Sequence, residues 1–468
     1  MSFDTPTFWC FFVLAWLAWR ALPFPAAKAA VLVASLIFYA WWSPWYLALM
    51  ILSPGIDYLA ALCIGAAKTV RAGRAWLVLS LGVNLALLGF FKYAPFVVEN
   101  GRWIAARLGL ALPEPLAGWI IPVGISFYTF QSMSYTIDVY RGRIAPIRSF
   151  PDFLLFVSLF PQLVAGPIVR ARTFLPQLRG RRALAPLAVQ TGLFEIVLGL
   201  FLKVVVADNL APAVESCFDR LPIDQIGPGR AWLGTLYFGG QIFADFAGYS
   251  AIAIGLARVM GLTFPENFKA PYIARSLSEF WRRWHVSLST WLRDYLYIPL
   301  GGNRHGPART YGAVLVTMLL GGLWHGASWN FVLWGAAHGL GLAVERPVAR
   351  GRAPSPPLAA AFRWGLVFVL VQLAWVLFRA RDLERALALY ERMLVAPWRG
   401  KMDPLESWNA RYLVFLVPIV LVHAARFLEE RRGSAYPAAA RAVVAGLMLS
   451  LLLVVGRPSA HAFLYFQF

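Results

Sequence analysis

Residues 310–328 read TYGAVLVTMLLGGLWHGAS. The stretch contains no Asp, Glu, Lys or Arg, and its length is close to the roughly 20 residues that an α-helix needs to cross a bilayer. Its one side chain that titrates near neutral pH is the imidazole of His325. Because an ionisable group is costly among hydrocarbon chains, such a residue usually faces a protein interior or a water-filled cavity and has a function. The stretch therefore predicts a membrane helix that carries a functional histidine.

The whole chain has the composition of an integral membrane protein. Of its 468 residues, 59% are apolar and 14% are charged, against about 25% charged residues in soluble proteins. Apolar stretches recur at 7–22, 26–43, 45–66, 75–91, 115–139, 150–168, 187–207, 231–262, 310–328, 329–345, 358–378, 411–426 and 437–456. They predict an all-α, polytopic transmembrane bundle of about 11 to 13 spans, with some short stretches re-entrant or interfacial. No polar block is long enough for a soluble domain, so residues 1–468 are predicted to form one transmembrane domain.

The formal charge of +20 does not indicate nucleic-acid binding, because the basic residues lie in short loops between apolar stretches. Most of them are expected to set the topology and to contact anionic lipid. The head of the chain carries no base, the first loop has Arg20 and Lys28, the second loop has none, and the third has Lys68, Arg71 and Arg74. Since bases are retained on the cytoplasmic side, this alternation predicts an N-terminus on the outer side of the membrane.

Residues 278–300 show aromatic residues at helical spacing. Read as one helix, they place Trp281, Trp284, Leu288, Trp291 and Tyr295 on one face and Arg282, His285, Ser289 and Arg293 on another. A helix with tryptophans on one side and bases on the other lies at the membrane interface or lines a polar cavity. A plain interfacial anchor with an incidental His285 explains the pattern as well, so the pattern leaves both interpretations open.

His325 is the sharpest candidate for chemistry. An imidazole with a pKa of about 6.5 in water can take a proton from a hydroxyl and pass it on, as acyl transfer requires. The alternative is a structural histidine that is hydrogen-bonded across a helix interface. The neighbouring Gly321, Gly322, Gly326 and Ala327 would let a backbone or a thin substrate approach closely, or would serve ordinary helix packing.

We expect neither a metal nor a prosthetic group. Cys10, Cys63 and Cys217 show no metal-ligand or disulfide spacing. His338 follows His325 at an interval compatible with bis-histidine haem, but no second pair of histidines has that interval. His338 is therefore expected to be a packing or hydrogen-bonding residue.

A transporter is the alternative from a different functional class. Acids lie in or at the edges of apolar stretches, and such residues form proton relays in transporters: Asp57, Asp138, Glu195, Asp208 and Asp245. A transporter would also tend to show interrupted half-helices in two related halves of the chain. The sequence has no visible internal symmetry of this kind, which disfavours the alternative.

Five segments resemble the membrane-bound O-acyltransferase family, and most closely its bacterial branch for alginate O-acetylation. They are 122–141 (PVGISFYTFQSMSYTIDVYR), 160–170 (FPQLVAGPIVR), 241–255 (QIFADFAGYSAIAIG), 279–302 (EFWRRWHVSLSTWLRDYLYIPLGG) and 321–338 (GGLWHGASWNFVLWGAAH). The resemblance spans residues 88–345. It is specific for the family and much less specific for the substrate.

The resemblance implies a bundle around a funnel or tunnel, with two histidines near its thinnest part. The family's catalytic histidine, in its Trp-His-Gly motif, is His325, and its second histidine, in the Arg-Arg-Trp-His motif, is His285. His325 would be the general base, and His285 would orient the donor or stabilise developing negative charge. Arg282, Arg283 and Trp324 are the candidate contacts for the donor. The arginines would bind its phosphates or, as the alternative, lipid headgroups.

The same resemblance implies a location and partners. An acyl group, expected to be acetyl from acetyl-CoA, would enter from the cytoplasmic side of the bacterial inner membrane. It would pass to an exported polysaccharide such as alginate, directly or through a periplasmic SGNH-type partner. Peptidoglycan, teichoic acid and cellulose are the alternative acceptors.

The segment 241–255 departs from the family pattern at two positions. Ala251 stands where an acid is expected, and Ala247 stands where a serine is expected. A local polar network is therefore missing or rebuilt, with Asp245 as the candidate for the rebuilt form.

The distribution of bases gives a testable topology. A reporter fused after Gly73 should be cytoplasmic, and one fused after Pro44 should be periplasmic, because the loop with Lys68, Arg71 and Arg74 is retained inside. Paired alkaline phosphatase and fluorescent-protein fusions measure this directly. The reverse pattern would exclude a periplasmic N-terminus.

Overall fold

The computed structural model describes residues 1–110, 122–163, 166–349, 356–396, 410–456 and 464, and all regular structure in these residues is helical. The first helices are α1 (Pro6–Ala21), α2 (Phe24–Ala40), α3 (Tyr46–Ala66), α4 (Val70–Leu88), α5 (Ala94–Arg107), α6 (Ile125–Tyr140), α7 (Phe150–Ser158), α8 (Phe160–Leu163), α9 (Ala171–Phe174) and α10 (Pro186–Leu200). Then follow α11 (Asp208–Glu215), α12 (Pro228–Val259), α13 (Leu277–Arg283), α14 (Val286–Leu292), α15 (Gly306–His325), α16 (Trp329–Ala349), α17 (Pro357–Arg379), α18 (Leu383–Tyr390), α19 (Val417–Arg432) and α20 (Ala438–Val455).

Seven described helical segments are long and apolar enough to cross a membrane: Tyr46–Ala66, Val70–Arg107, Pro186–Arg220, Pro228–Val259, Pro357–Arg379, Ala410–Arg432 and Ala438–Val455. The predicted all-α, polytopic class is thereby confirmed. The other predicted spans fall on shorter or less apolar helices, and α1 and α2 have only 16 and 17 residues. The stretch 115–139 is helical from Ile125, and its residues before 122 lie outside the described part. The larger number of spans stays a prediction.

The chain folds into two compact units. The first comprises residues 1–193 with 253–265, and the second comprises residues 194–252 with 266–468. Within the first unit, α6 is buried along nearly its whole length and packs on α3 and α4. The buried carboxylate of Asp57 accepts hydrogen bonds from Ser80 Oγ (2.5 Å) and Asn84 Nδ2 (2.7 Å). Asp57 thus ties α3 to α4 and is occupied by structural contacts.

The second unit holds all of the residues predicted to take part in acyl transfer, and its core is rich in aromatic rings. Its large buried rings include Phe238, Trp284, Trp334, Trp375 and Phe378. Rings of this size bury much apolar surface and leave few polar atoms to satisfy, so they create a dry, rigid environment.

The departures from the family pattern at Ala247 and Ala251 suggested a rebuilt polar network, and such a network is present around Asp245. Asp245 Oδ1 lies 2.9 Å from Lys203 Nζ, which also lies 2.7 Å from Asp208 Oδ1. The three charges are almost completely buried, so they depend on one another for compensation. This ion-pair network joins α12 to the residues that follow α10, and it makes Asp208 and Asp245 poor candidates for a proton relay.

Candidate active site

A tight antiparallel hairpin of α15 and α16 positions His325. Small residues let the two backbones touch: a Cβ on Gly322 would collide with the carbonyl oxygen of Phe331, and one on Gly335 would collide with that of Met318. Gly326 is extended (φ −164°, ψ 152°) and ends α15 directly after His325. The predicted close backbone approach at Gly322 is therefore confirmed, and it fixes the imidazole at the turn of the hairpin.

His325 is the last residue of α15 and is 4% exposed. Its ring centroid lies 5.0 Å from that of Trp324, 5.1 Å from that of Trp334 and 5.1 Å from that of Phe378. The negative end of the α15 dipole stabilises a positive charge at this position.

The segment 278–300, predicted to be one helix, is broken at its centre. α13 ends at Arg283, Trp284 is extended (φ −98°, ψ 129°), and His285 is left-handed (φ 43°, ψ 53°). The prediction of a continuous helix with an aromatic face and a basic face was wrong. His285 is 0% exposed, so it is not an incidental residue on a solvated interfacial face.

A loop residue from outside the segment causes the break. The backbone carbonyl of Asn267 accepts a hydrogen bond from Val286 N (2.9 Å), and its side-chain Oδ1 accepts one from Ser287 N (3.3 Å). These bonds satisfy two amide donors that the first turn of α14 would otherwise leave unpaired. They offset the roughly 1–3 kcal/mol that a left-handed backbone costs at a residue with a Cβ.

Asn267 also determines the tautomer of His285. Asn267 Oδ1 accepts hydrogen bonds from Ser287 Oγ (2.8 Å) and Ser287 N, and Asn267 Nδ2 donates to Ser250 Oγ (3.0 Å). The atom that faces His285 Nδ1 at 3.2 Å is therefore an acceptor, so Nδ1 carries the proton. Burial lowers the pKa of His285 to about 3, which keeps the ring neutral at physiological pH. Its Nε2 consequently presents a lone pair.

Trp324 lies between the two histidines. Its ring centroid is 5.0 Å from that of His325 and 6.0 Å from that of His285, and its side chain is buried. The structure therefore brings together three of the residues that the sequence singled out, from α15 and from the start of α14.

The indole of Trp334 is a buried donor beside His325. Its Nε1 has no hydrogen-bond partner in the described part of the chain, although its ring is 1% exposed. Buried tryptophan N–H groups usually find a partner, so this one is an unsatisfied donor among the described residues. His338 has a different task, because its Nδ1 accepts a hydrogen bond from Trp281 Nε1 (3.4 Å), and the expected structural role for it is confirmed.

The two arginines of α13 differ in their surroundings. Arg283 donates to Glu279 Oε1 (2.9 Å), to the Lys269 carbonyl (2.9 Å) and to both carboxylate oxygens of Glu430 (2.9 and 3.0 Å). The bond to Glu430 raises the pKa of Arg283, so its charge is permanent and compensated. Arg282 is exposed and donates to Ser278 Oγ (2.9 Å). It has more freedom than Arg283 to meet a phosphate.

Sequence reasoning missed two residues of this site. Asn267 lies in an ordinary loop, PENFKAPY at 265–272. Its position in the sequence does not indicate that it contacts His285. Trp334 could have been found, because a hairpin turn after Gly326 brings the first turns of α16 back to His325. Among the described residues no group of three His, Cys, Asp or Glu side chains could hold a metal ion.

Comparisons to known proteins identify the family of the chain. The sequence profile of the membrane-bound O-acyltransferase family matches residues 140–379, which include both histidines. The chain is 46% identical over 364 residues to the probable alginate O-acetylase AlgI of Pseudomonas putida, covering 78% of this chain and 74% of that protein.

More distant relatives extend the range of named acceptors. The chain is 38% identical over 396 residues to the peptidoglycan O-acetyltransferase of Helicobacter pylori, covering 78% of this chain and 73% of the relative. It is 30% identical over 230 residues to the teichoic acid D-alanyltransferase of Bacillus subtilis, covering 46% and 56%. On these matches, and with two buried histidines in the matched region, the chain belongs to the membrane-bound O-acyltransferase family and is a multi-pass O-acyltransferase.

Proposed function

We propose that this enzyme transfers an acetyl group from cytoplasmic acetyl-CoA to an exported polysaccharide, with alginate as the first candidate. Alginate is proposed as the acceptor because the chain is 46% identical, over 78% of its length, to a relative named for alginate O-acetylation. Peptidoglycan is the second candidate, because the similarity to a peptidoglycan O-acetyltransferase covers the same share of the chain at 38% identity. The enzyme works in the bacterial inner membrane with its N-terminus in the periplasm, and an SGNH-type periplasmic partner receives or relays the acetyl group.

His325 is the general base in this proposal. Its imidazole takes the proton of the acceptor hydroxyl while the hydroxyl oxygen attacks the carbonyl carbon of the thioester. The carbon–sulfur bond then breaks, and the imidazolium returns the proton to the thiolate of CoA. The C-terminal end of α15 supports the step, because its dipole stabilises the imidazolium that forms.

His285 orients the donor. Of the two roles expected for it, stabilising negative charge requires an N–H at Nε2, whereas Asn267 keeps the proton on Nδ1. A lone pair at Nε2 instead accepts a hydrogen bond from a donor N–H, such as an amide of the pantetheine arm. The indole N–H of Trp334, buried beside His325, supplies the donor for the oxyanion.

The phosphates of CoA are assigned to Arg282 and Arg283 in different ways. Arg282 is exposed and can contact a phosphate directly. Arg283 contributes a fixed charge and holds α13 in place through its bonds to Glu279 and Glu430. Trp324 closes the donor side by packing between the two histidines.

Replacing His325 with alanine should abolish transfer. The rate at which protein in nanodiscs hydrolyses acetyl-CoA should fall by about 10²- to 10⁴-fold, because the general base is removed. In cells, the acetyl content of exported alginate should fall while that of peptidoglycan is unchanged. His305→Ala is the matched control, since this histidine is exposed at the opposite end of α15. Normal transfer by His325→Ala at normal protein level would exclude His325 as the general base. A fall in acetyl content confined to peptidoglycan would make peptidoglycan the acceptor instead of alginate.

Replacing Trp334 with phenylalanine should lower kcat and leave KM nearly unchanged. The ring is kept, but one oxyanion donor is lost, which costs about 10²- to 10³-fold. Trp232→Phe is the control, because the N–H of Trp232 donates to the Met393 carbonyl (3.0 Å) away from the histidines. Equal kcat values for the two variants would remove Trp334 from the mechanism.

Replacing Asn267 with aspartate should move the acid limb of the pH profile of acetyl-CoA binding to higher pH. The carboxylate still accepts from Nδ1, but its charge raises the pKa of His285 by about one to three units from its depressed value, so the ring protonates and loses its lone pair at a higher pH. Ser250→Ala should leave this limb in place, because it removes only the partner of Asn267 Nδ2. An unshifted profile in Asn267→Asp would show that Asn267 does not act through His285.

A further inference from the structure

Helices α17 and α19 of the second unit border an elongated cavity of about 850 Å³. Residues of α17 line it from Pro357 to Gln372, a distance of about 22 Å at 1.5 Å per residue. Residues of α19 line it from Ile419 to Arg431 at helical spacing. The cavity, called the α17–α19 groove below, is therefore a channel along two helices rather than a round pocket.

The two ends of this groove differ. At one end, Gly240 packs against Leu416 and Ile419, and Gly239 packs against Gln372. Halfway along, the ring of Tyr272 lies 5.4 Å from that of His423 and 5.9 Å from that of Phe368. The helices thus run antiparallel, so the start of α17 and the end of α19 share the opposite end. Arg431 lies at that end, and Arg275 also lines the groove.

The guanidinium groups of these two arginines are exposed, and the carboxylate of Glu279 accepts a hydrogen bond from the backbone N of Arg275 (2.9 Å). The guanidinium of Arg431 lies over the ring of Phe427, 4.5 Å from its centroid, and both arginines are exposed. Within the described residues neither forms an ion pair, whereas the neighbouring Arg283 and Arg426 are bound by glutamates. Exposed guanidinium groups that line an apolar channel can bind the phosphate of a ligand whose apolar tail lies in the channel.

The side of the groove opens toward hydrocarbon. Both bordering helices belong to segments that are long and apolar enough to cross a membrane. Two of the lining residues, Trp364 and Val420, are 45% and 64% exposed. Such surfaces on a membrane helix face lipid, so an occupant can enter sideways from the bilayer.

We propose that the α17–α19 groove binds one anionic glycerophospholipid, with its phosphate at Arg275 and Arg431 and an acyl chain along the apolar wall. The length of the groove equals half of a bilayer with its headgroups, about 20 to 22 Å. Basic pockets between membrane helices are known to select anionic headgroups on the cytoplasmic side. This site is distinct from the acyl-transfer chemistry and does not depend on the proposed acceptor.

Native mass spectrometry of the full chain, released from nanodiscs of phosphatidylglycerol and phosphatidylcholine, tests the site. The wild type should retain one phospholipid and prefer phosphatidylglycerol. Arg275→Gln with Arg431→Gln should reduce retention of phosphatidylglycerol by about tenfold or more, because both phosphate contacts are lost. Arg432→Gln is the matched control, since Arg432 is the next residue of α19, stacks on Tyr436 and does not line the groove.

A second variant keeps the test decisive if the double arginine variant misfolds. Ala424→Trp fills the groove from α19 while leaving both arginines, and it should also lose the lipid at an unchanged melting temperature. Wild-type retention in either folded variant would overturn the proposal. So would a retained ligand that proves to be a CoA thioester instead of a phospholipid.

Discussion

The hydrogen bonds of one side-chain amide, that of Asn267, determine the geometry of the site. Its Oδ1 accepts from His285 Nδ1 (3.2 Å), from Ser287 Oγ (2.8 Å) and from Ser287 N (3.3 Å). Together with the bond from Val286 N to the backbone carbonyl of Asn267 (2.9 Å), these three bonds interrupt a segment that would otherwise continue as a helix, turn His285 into the protein, and select its tautomer. A neutral amide is suited to this task, because a carboxylate at the same place would favour the imidazolium and remove the lone pair at Nε2.

The aromatic residues around the two histidines strengthen the interactions of the few polar atoms in the site. His325 is bordered by Trp324, Trp334 and Phe378, and the ring of Phe246 meets His285 edge-on at 4.7 Å. Where water is scarce, a hydrogen bond or a helix dipole acts on a reacting group far more strongly than it does in solvent. Exclusion of water also protects a thioester from hydrolysis while the acceptor hydroxyl is activated. The buried imidazole of His325 and the buried indole N–H of Trp334 are consistent with that requirement.

The sequence predicted the features that depend on local residue patterns. It did not predict those that depend on a contact with a residue distant in the chain. Apolar stretches predicted the helical membrane class, and the position of His325 inside one of them was enough to single it out. Helical spacing over 278–300 was misleading, because periodicity cannot register a cap supplied by Asn267 from another loop. Arg282 and Arg283 look identical in sequence, yet only the structure shows that Glu430 binds Arg283, from more than a hundred residues away.

Tyr272 connects the α17–α19 groove to the histidine site. Its ring lies 6.1 Å from that of Trp284 on one side and 5.4 Å from that of His423 on the other, and its hydroxyl is anchored to the Gly239 carbonyl (2.6 Å). Trp284 directly precedes His285, whose strained backbone depends on tight packing around it. His423 and Phe368, which pack on Tyr272, also line the groove, so a bound acyl chain would add contacting atoms to this aromatic wall. The lipid would then belong to the packing that holds the imidazole in place, which links membrane composition to the geometry of catalysis.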